Sequence, residues 1–370
     1  MIEKLRIYGL EDNSLVLVRS FLQNRTQRTV IRSAQSSPQA LTHGVPQGSV
    51  LSPLLFLVHI NDLPEAVSQP TTVDIFADDT TLSSHSPYTN TPGLCSRLCQ
   101  STVELEKWTG NNRFKLNMAK TKSMFVTGTR LRAKMDHCDQ MEIRSSTGDV
   151  LETTTSYKLL GVYIDPDLSF NEHVEHLCKK LTKRIGILRS IRHYLPLNER
   201  ILFYNATIKP LFLYGGAVWS ITSKANIRRV FRLQKRAARV ILDVKTARDE
   251  RTVDLFNKLD WLPFYEEINV NKLCLIFKCL HGQCPEYISS KLIRVSDISV
   301  RSSRYSHITL RCPKSNRATE GGKTFASTST SLWNSLPPNI RSCDSINVFK
   351  EKCVKLIKKG YANIEHFTIS

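Results

Sequence analysis

Two β-prone runs, Val73 to Phe76 and Thr80 to Ser83, close on Ala77-Asp78-Asp79. This pattern predicts a tight hairpin with two carboxylates at its tip. A bare hairpin is barely stable in water, so helices are expected behind it. Adjacent acids at such a tip also suggest chemistry. Mg²⁺ takes oxygen ligands and is usually shared between one or two carboxylates and substrate phosphates. A hairpin is a rigid support for ligands that must be held tightly. Taken alone, Asp-Asp-Thr is weak evidence for this and reads better as an acidic turn in solvent.

The flanking sequence narrows the choice. Upstream, Gly44-Val45-Pro46-Gln47-Gly48-Ser49 leads into Ser52-Pro53 and the apolar run Leu54 to Ile60. Ser at the N-cap with Pro at the first helical position starts a helix. That helix is apolar nearly all round, which predicts burial. Gly44 and Gly48 would let backbone approach a base pair closely. Before this, Leu15, Val18, Phe21 and Leu22 share a helical face, with Asn13 or Ser14 as N-cap. Thr29 to Arg32 reads as a short strand, and Ser33 to Ala40 as a polar link. Leu94 to Asn112 is amphipathic, and Met124 to Thr127 and Tyr157 to Ile164 read as strands.

From Asp165 the pattern turns helical. Val174, Leu177, Leu181, Ile185 and Leu188 form one stripe. Asn198 opens a second helix, bent at Pro210. Ile227 to Leu242 and Val270 to Leu280 are two more. After Lys291 the chain is Ser- and Arg-rich, with weak periodicity until a final basic helix.

Charge follows the same division. The chain carries 52 Lys and Arg against 33 Asp and Glu, a net charge of +19. Most of the excess lies between Lys179 and Lys245, where 16 basic residues face two acids, Glu199 and Asp243. Such a balance favours a polyanionic partner, nucleic acid before an anionic membrane surface. Arg228, Arg232, Lys235, Arg236 and Arg239 recur at helical spacing and share a face, with Ile227, Val230, Phe231, Ala237, Ala238 and Ile241 mostly opposite. With Lys179, Lys180 and Lys183, this face is expected to track phosphates. The alternative is a solvated charged face without a partner.

The 10 cysteines form no framework. Cys274, Cys279 and Cys284 with His281 match no usual zinc spacing, which leaves a helix with buried thiols. The expected setting is intracellular and reducing, in the nucleus or cytoplasm. The N-terminus lacks the apolar core of a signal peptide, and no apolar run is long enough to span a bilayer.

Several motifs carry a family resemblance. Gly44 to Ser49 resembles motif B of reverse transcriptases, and Phe76-Ala77-Asp78-Asp79 their catalytic hairpin, motif C. Lys115-Leu116-Asn117 with Lys120-Thr121-Lys122 is similar to motif D, and Tyr157-Lys158-Leu159-Leu160-Gly161-Val162 to the motif E primer grip. Leu177-Cys178-Lys179-Lys180-Leu181, Tyr204-Asn205-Ala206, Gln234-Lys235-Arg236-Ala237-Ala238-Arg239, Trp261-Leu262-Pro263 and Leu332-Trp333-Asn334-Ser335-Leu336-Pro337 resemble LINE-type (non-LTR) retrotransposon sequences. The likeness covers nearly the whole chain.

The resemblance implies an α+β fold. Residues 1–165 would be a partial palm, a small antiparallel sheet backed by helices. Residues 166–288 would be a basic helical thumb, and 289–370 an irregular C-terminal segment. It implies RNA-directed DNA synthesis with two Mg²⁺ ions, Asp78 as a direct ligand and Asp79 as the second acid. Phe76 and Ala77 would sit beneath the primer end, and Gln47 and Gly48 would line the templating pair. Lys120 or Lys122 would approach the triphosphate, and Leu160 and Gly161 would hold the primer. The implied partners are an RNA template and an RNA–DNA or DNA duplex.

The resemblance departs at the front. The family's motif A, with another metal-binding aspartate, precedes a segment like Ile2-Glu3-Lys4-Leu5 through Tyr8-Gly9. The metal site is therefore expected to be incomplete and the chain inactive alone, since phosphoryl transfer depends on positioning and electrostatics. Asp74 is expected to lie too far from the tip to substitute. The alternatives are a non-catalytic nucleic-acid-binding protein or a relic reading frame.

Overall fold

The computed structural model describes residues 1–132, 141–244, 250–298, 306–313 and 324–361. Lys245, the end of the basic stretch, lies outside the described residues. The chain divides into two compact units, Met1–Thr154 and Thr155–Ser370. Together they form a mixed α+β structure of many helices and small two-stranded sheets.

The first unit opens with α1 (Ile2–Ile7) and α2 (Asp12–Leu22). The second of these starts one residue before the expected cap. Glu11 stands at its N-cap and makes no side-chain capping bond. Strands β1 (Thr26–Gln27) and β4 (Gln39–Ala40) pair around β2 (Val30–Ile31) and β3 (Ala34–Gln35), all exposed. The stretch read as a polar link thus supplies two of the four strands.

Helix α3 spans Leu51–Ile60. Its cap differs from expectation. Ser52 lies inside the first turn, and Ser49 Oγ accepts its N–H at 3.1 Å. The Ser52 hydroxyl donates to the Pro46 carbonyl at 2.5 Å, folding the preceding loop onto the helix. Pro53 is tolerated because first-turn N–H groups have no partner within the helix. Burial also differs. Leu55 and Ile60 are buried, but Leu51, Leu54 and Leu57 are 43%, 59% and 50% exposed. The helix is buried along one side only, because no described residue of this unit covers the other.

The rest of the unit packs behind a hairpin. Strands β5 (Thr72–Phe76) and β6 (Asp79–Ser83) pair in antiparallel register, Phe76 opposite Asp79. Val73, Ile75 and Leu82 lean on Ile60, Leu63, Leu105 and Trp108, the last two from α4 (Thr91–Asn111). A second core joins Leu5, Leu15 and Leu55. Helix α3 therefore enters both cores. The strand expected at Met124–Thr127 forms instead at β7 (Lys122–Ser123), which pairs in parallel with β8 (Glu152–Thr153). A short α5 (Thr129–Arg132) lies between them.

The second unit begins with the hairpin β9 (Tyr157–Leu159) and β10 (Val162–Ile164). Helix α6 (Asn171–Ile191) buries Val174, Leu177, Leu181, Ile185 and Leu188, as the stripe predicts. Then come α7 (Leu197–Phe203), a π-helical turn at Tyr204–Ile208, and α8 (Lys209–Leu213). Pro210 lacks the N–H that would bond to Ala206, and the wider turn before it absorbs the loss. Short α9 (Gly216–Trp219) leads to α10 (Lys224–Leu242), which packs along α6. Helix α11 (Thr252–Lys258) precedes α12 (Phe264–Leu280). Phe264 and Ile268 of α12 belong to the core built on α6 and α10. Leu273, Ile276 and Phe277 belong to a second core with Trp333, Phe349 and Cys353.

That second core corrects the expectation of an irregular C-terminal segment. After α13 (Glu286–Ser289), α14 (Phe325–Asn334) and α15 (Pro338–Arg341) are helices that the pattern did not show, and α16 (Ile346–Tyr361) is the expected final basic helix. Helix α14 was hidden from apolar periodicity because it buries hydroxyls. Ser329 and Thr330 are inside, and Thr328 donates to the carbonyl of the N-cap Thr324 and Thr330 to that of Ser327.

Candidate functional site

The carboxylate tip is a two-residue turn. Of its two central residues only Ala77 has positive φ, +52°, as a type II′ turn requires. That conformation is disfavoured for a residue with a Cβ. It places Asp78 at the apex and Asp79 opposite Phe76. Phe76, Ala77, Asp78 and Asp79 are all exposed. Among the described residues neither carboxylate makes a hydrogen bond or ion pair. Alternation puts Asp74, Phe76, Asp79 and Thr81 on one face, while Val73, Ile75 and Leu82 face the core. Asp74 is one diagonal step from Asp79, about 7–8 Å by strand geometry. No group of three or more His, Cys, Asp or Glu suited to a metal gathers among the described residues.

The loop before α3 presents Gln47 and Gly48 to solvent. Gly44 and Gly48 both have φ of +83°, and nothing lies within 4 Å of a Cβ built on either. Glycine is required there by backbone conformation, not by crowding. No hydrogen bond links Gln47 to the Asp78–Asp79 tip among the described residues.

Lys120 and Lys122 separate clearly. Lys122 is paired with Glu152 of the neighbouring strand, whereas Lys120 is exposed with no ion pair among the described residues. The backbone N–H of Lys120 is held by the Asn117 carbonyl at 3.0 Å.

In the second unit, Leu160 and Gly161 form the turn of the β9–β10 hairpin, at φ +45° and +86°. Asp165 organises the loop that follows. Its carboxylate accepts the N–H groups of Ser169 at 2.9 Å and Phe170 at 2.7 Å. Sequence reading gave Asp165 no role; it lies too far ahead of α6, whose N-cap is Phe170, for a helix-start signal to mark it.

The basic face of α10 is where the spacing places it. Arg228 and Arg232 are exposed; Lys235, Arg236 and Arg239 are half-buried. Arg228, Arg232 and Arg236 have no carboxylate partner among the described residues. Lys235 lies 5.1 Å over the Phe231 ring. Burial, with Arg239 and Arg232 nearby, pushes its ammonium below the usual lysine value. Arg239 keeps a buried Nε without a hydrogen-bond partner. Arg229, which the sequence reading passed over, is also exposed, and its charge reaches Glu175 and Cys178 of α6. On α6, Lys180 and Lys183 are exposed, while Lys179 pairs with Glu175 at 2.6 Å. An exposed pair of this kind is weak and exchanges readily. Guanidinium groups left without carboxylates suit phosphate oxygens, which they bind in a planar fork. Sequence reading did not place Gln234, which is buried within this basic helix.

The thiol cluster does not assemble as a set. Cys279 contacts Cys284, and burial pushes its thiol up to about 12. Cys353 is likewise pushed up to about 12 by burial, with Cys274 and Cys343 nearby. His281 Nδ1 sits 2.8 Å from the Phe277 carbonyl. No described helix is long and apolar enough to cross a membrane.

Residues 2–164 match the family described as reverse transcriptase (RNA-dependent DNA polymerase). Over 238 residues the chain is 29% identical to the probable RNA-directed DNA polymerase from transposon BS of Drosophila melanogaster, covering 61% of this chain and 25% of the relative. It is 27% identical over 237 residues to the RNA-directed DNA polymerase from mobile element jockey of the same species, with coverage of 61% and 25%. It is 24% identical over 259 residues to the probable RNA-directed DNA polymerase from transposon X-element, with coverage of 68% and 27%. These matches support a LINE-type reverse transcriptase of the non-LTR retrotransposons. The chain spans about a quarter of the length of these relatives.

Proposed function

We propose that the chain is part of an RNA-directed DNA polymerase of a non-LTR element. Residues 1–165 serve as palm, 166–288 as a basic helical thumb and 289–370 as a C-terminal segment. The observation that carries this reading is the hairpin tip. Asp78 and Asp79 are exposed and unpartnered on a strand pair whose other face is packed. Carboxylates held this way bind a hard cation without first breaking an ion pair. Mg²⁺ bound there would neutralise charge developing at the phosphates.

The residues fit part of such a centre. They offer two adjacent oxygen donors on a rigid support, where a two-metal clamp needs more. On two carboxylates, the chain by itself is expected to make no DNA. Around the tip, Phe76 and Ala77 support the primer end, Gln47 and Gly48 border the templating pair, and Lys120 is the lysine free to meet the triphosphate. Leu160 and Gly161 hold the primer, and the α10 face grips an RNA–DNA or DNA duplex.

Two measurements test this. Mn²⁺ added to the chain bound to an RNA–DNA hybrid should broaden backbone resonances of residues 76–80, and Asp78→Ala should abolish the effect. Absence of broadening in the unaltered chain would remove the metal site. Primer extension on a primed RNA template, with Mg²⁺ or Mn²⁺ and labelled nucleotides, should match the Asp78→Ala background. Synthesis that this variant abolishes would mean that a further ligand completes the site, Asp74 being the nearest acid on that face.

The unpaired arginines of α10 favour a second reading, a nucleic-acid-binding protein without catalysis. It predicts hybrid binding that Asp78→Ala leaves unchanged, together with no Mn²⁺ broadening.

A further inference from the structure

The turn between β9 and β10 has a shape its first residue does not favour. Val162 pairs with Leu159, so Leu160 and Gly161 are the two central residues. Both have positive φ, +45° and +86°, which makes the turn type I′. That turn prefers Asn then Gly, because Asn tolerates the left-handed region and Gly enters it freely. Leucine does neither, yet Leu160 is 41% exposed, so burial does not explain its conformation.

Tyr214 supplies what the turn lacks. Its hydroxyl donates to the Leu160 carbonyl at 2.6 Å. Its ring fills the space beside Gly161, where an added Cβ would come within 3.1 Å of Cε1. The tyrosine is itself fixed from behind. Its carbonyl accepts the indole N–H of Trp219 at 2.9 Å, and Trp219 is fully buried. Gly215 follows at φ +60°, with room for no Cβ because Val162 Cγ2 would lie 2.7 Å away. A path of direct contacts thus runs from the core through Trp219 and Tyr214 to the tip of the hairpin. Tyr214 is 59% exposed, so apolar burial is not what keeps it there.

We propose that Tyr214 is a positioning residue for the Leu160–Gly161 turn and sets the height at which the turn meets a recessed strand end. The proposal rests on the reading of this turn as the element that holds a primer. Removing the hydroxyl frees the Leu160 carbonyl and lets the residue relax toward negative φ. The strand end then loses its stop, while duplex binding through α10 is untouched.

The test compares the full chain with Tyr214→Phe on two labelled RNA–DNA hybrids of equal length, one blunt and one with a recessed DNA 3′ end. The unaltered chain should prefer the recessed end several-fold. Tyr214→Phe should lose most of that preference, with blunt-hybrid affinity and thermal midpoint unchanged. Hydrogen exchange in residues 157–164 should speed up in Tyr214→Phe. It should slow again when Leu160→Asn is added, since Asn-Gly holds a type I′ turn unaided. A Tyr214→Phe chain that keeps its end preference, or exchanges no faster, overturns the proposal while the turn's own role stands. An unaltered chain with no end preference overturns the primer-holding reading, and the proposal with it.

Discussion

The backbone N–H of Phe264 donates to Gln234 Oε1 at 2.8 Å. The amide nitrogen of the same side chain donates to the Leu262 carbonyl at 3.0 Å. Gln234 is 1% exposed, so these bonds are made away from water. One side chain thus joins the middle of α10 to the start of α12. Two sequence motifs that looked independent, Gln234 to Arg239 and Trp261-Leu262-Pro263, are halves of one joint.

Breaking that joint should be costly. Gln234→Leu leaves a buried N–H and a buried carbonyl without their side-chain partner, at about 1–3 kcal/mol for each unsatisfied group. Urea unfolding should show a lower midpoint. An unchanged midpoint would mean that water or a backbone shift replaces both bonds.

Asp165 should matter in a similar way. It accepts N–H groups from Asp167, Ser169 and Phe170, and Leu168 and Phe170 stand at φ +50° and +57° within that loop. Asp165→Ala should cost about 1–3 kcal/mol, and Asp165→Asn less, because one amide oxygen still accepts. Equal losses in both variants would show that negative charge, not acceptor geometry, holds the loop.

Acid should destabilise the second unit through His173. Burial lowers its pKa from 6.5 to about 4, with Lys180 and His176 adding to the effect. The unfolded chain therefore binds the proton first. Stability is full above pH 6.5 and falls as pH drops from there toward 4. His173→Gln should flatten this part of the pH–stability curve. If the variant keeps the same slope between pH 6.5 and 4, another group carries it.

The face of α10 should make hybrid binding strongly salt-dependent. Each phosphate contact contributes about −0.9 to the log–log slope on B-form DNA. Changing Arg232, Arg236 and Arg239 together to Ala should flatten the slope and weaken all sequences alike. Unchanged affinity and slope in the triple variant would leave this as a solvated charged face.

Local pattern determined much of this protein. The α6 stripe, the β5–β6 hairpin with acids at its tip, and the two faces of α10 follow from periodicity and turn chemistry, which depend on neighbours within a few residues. Tertiary structure decided which groups are free. Lys122 is neutralised by Glu152, 30 residues away, while Lys120 stays open. Tyr214 reaches Leu160 across 54 residues. Helix α3, apolar nearly all round, buries Leu55 and exposes Leu54 only because of what the chain brings alongside. Helix and strand periodicity is set largely by a residue's near neighbours. A residue's partners depend on where distant segments return, and no local spacing records that.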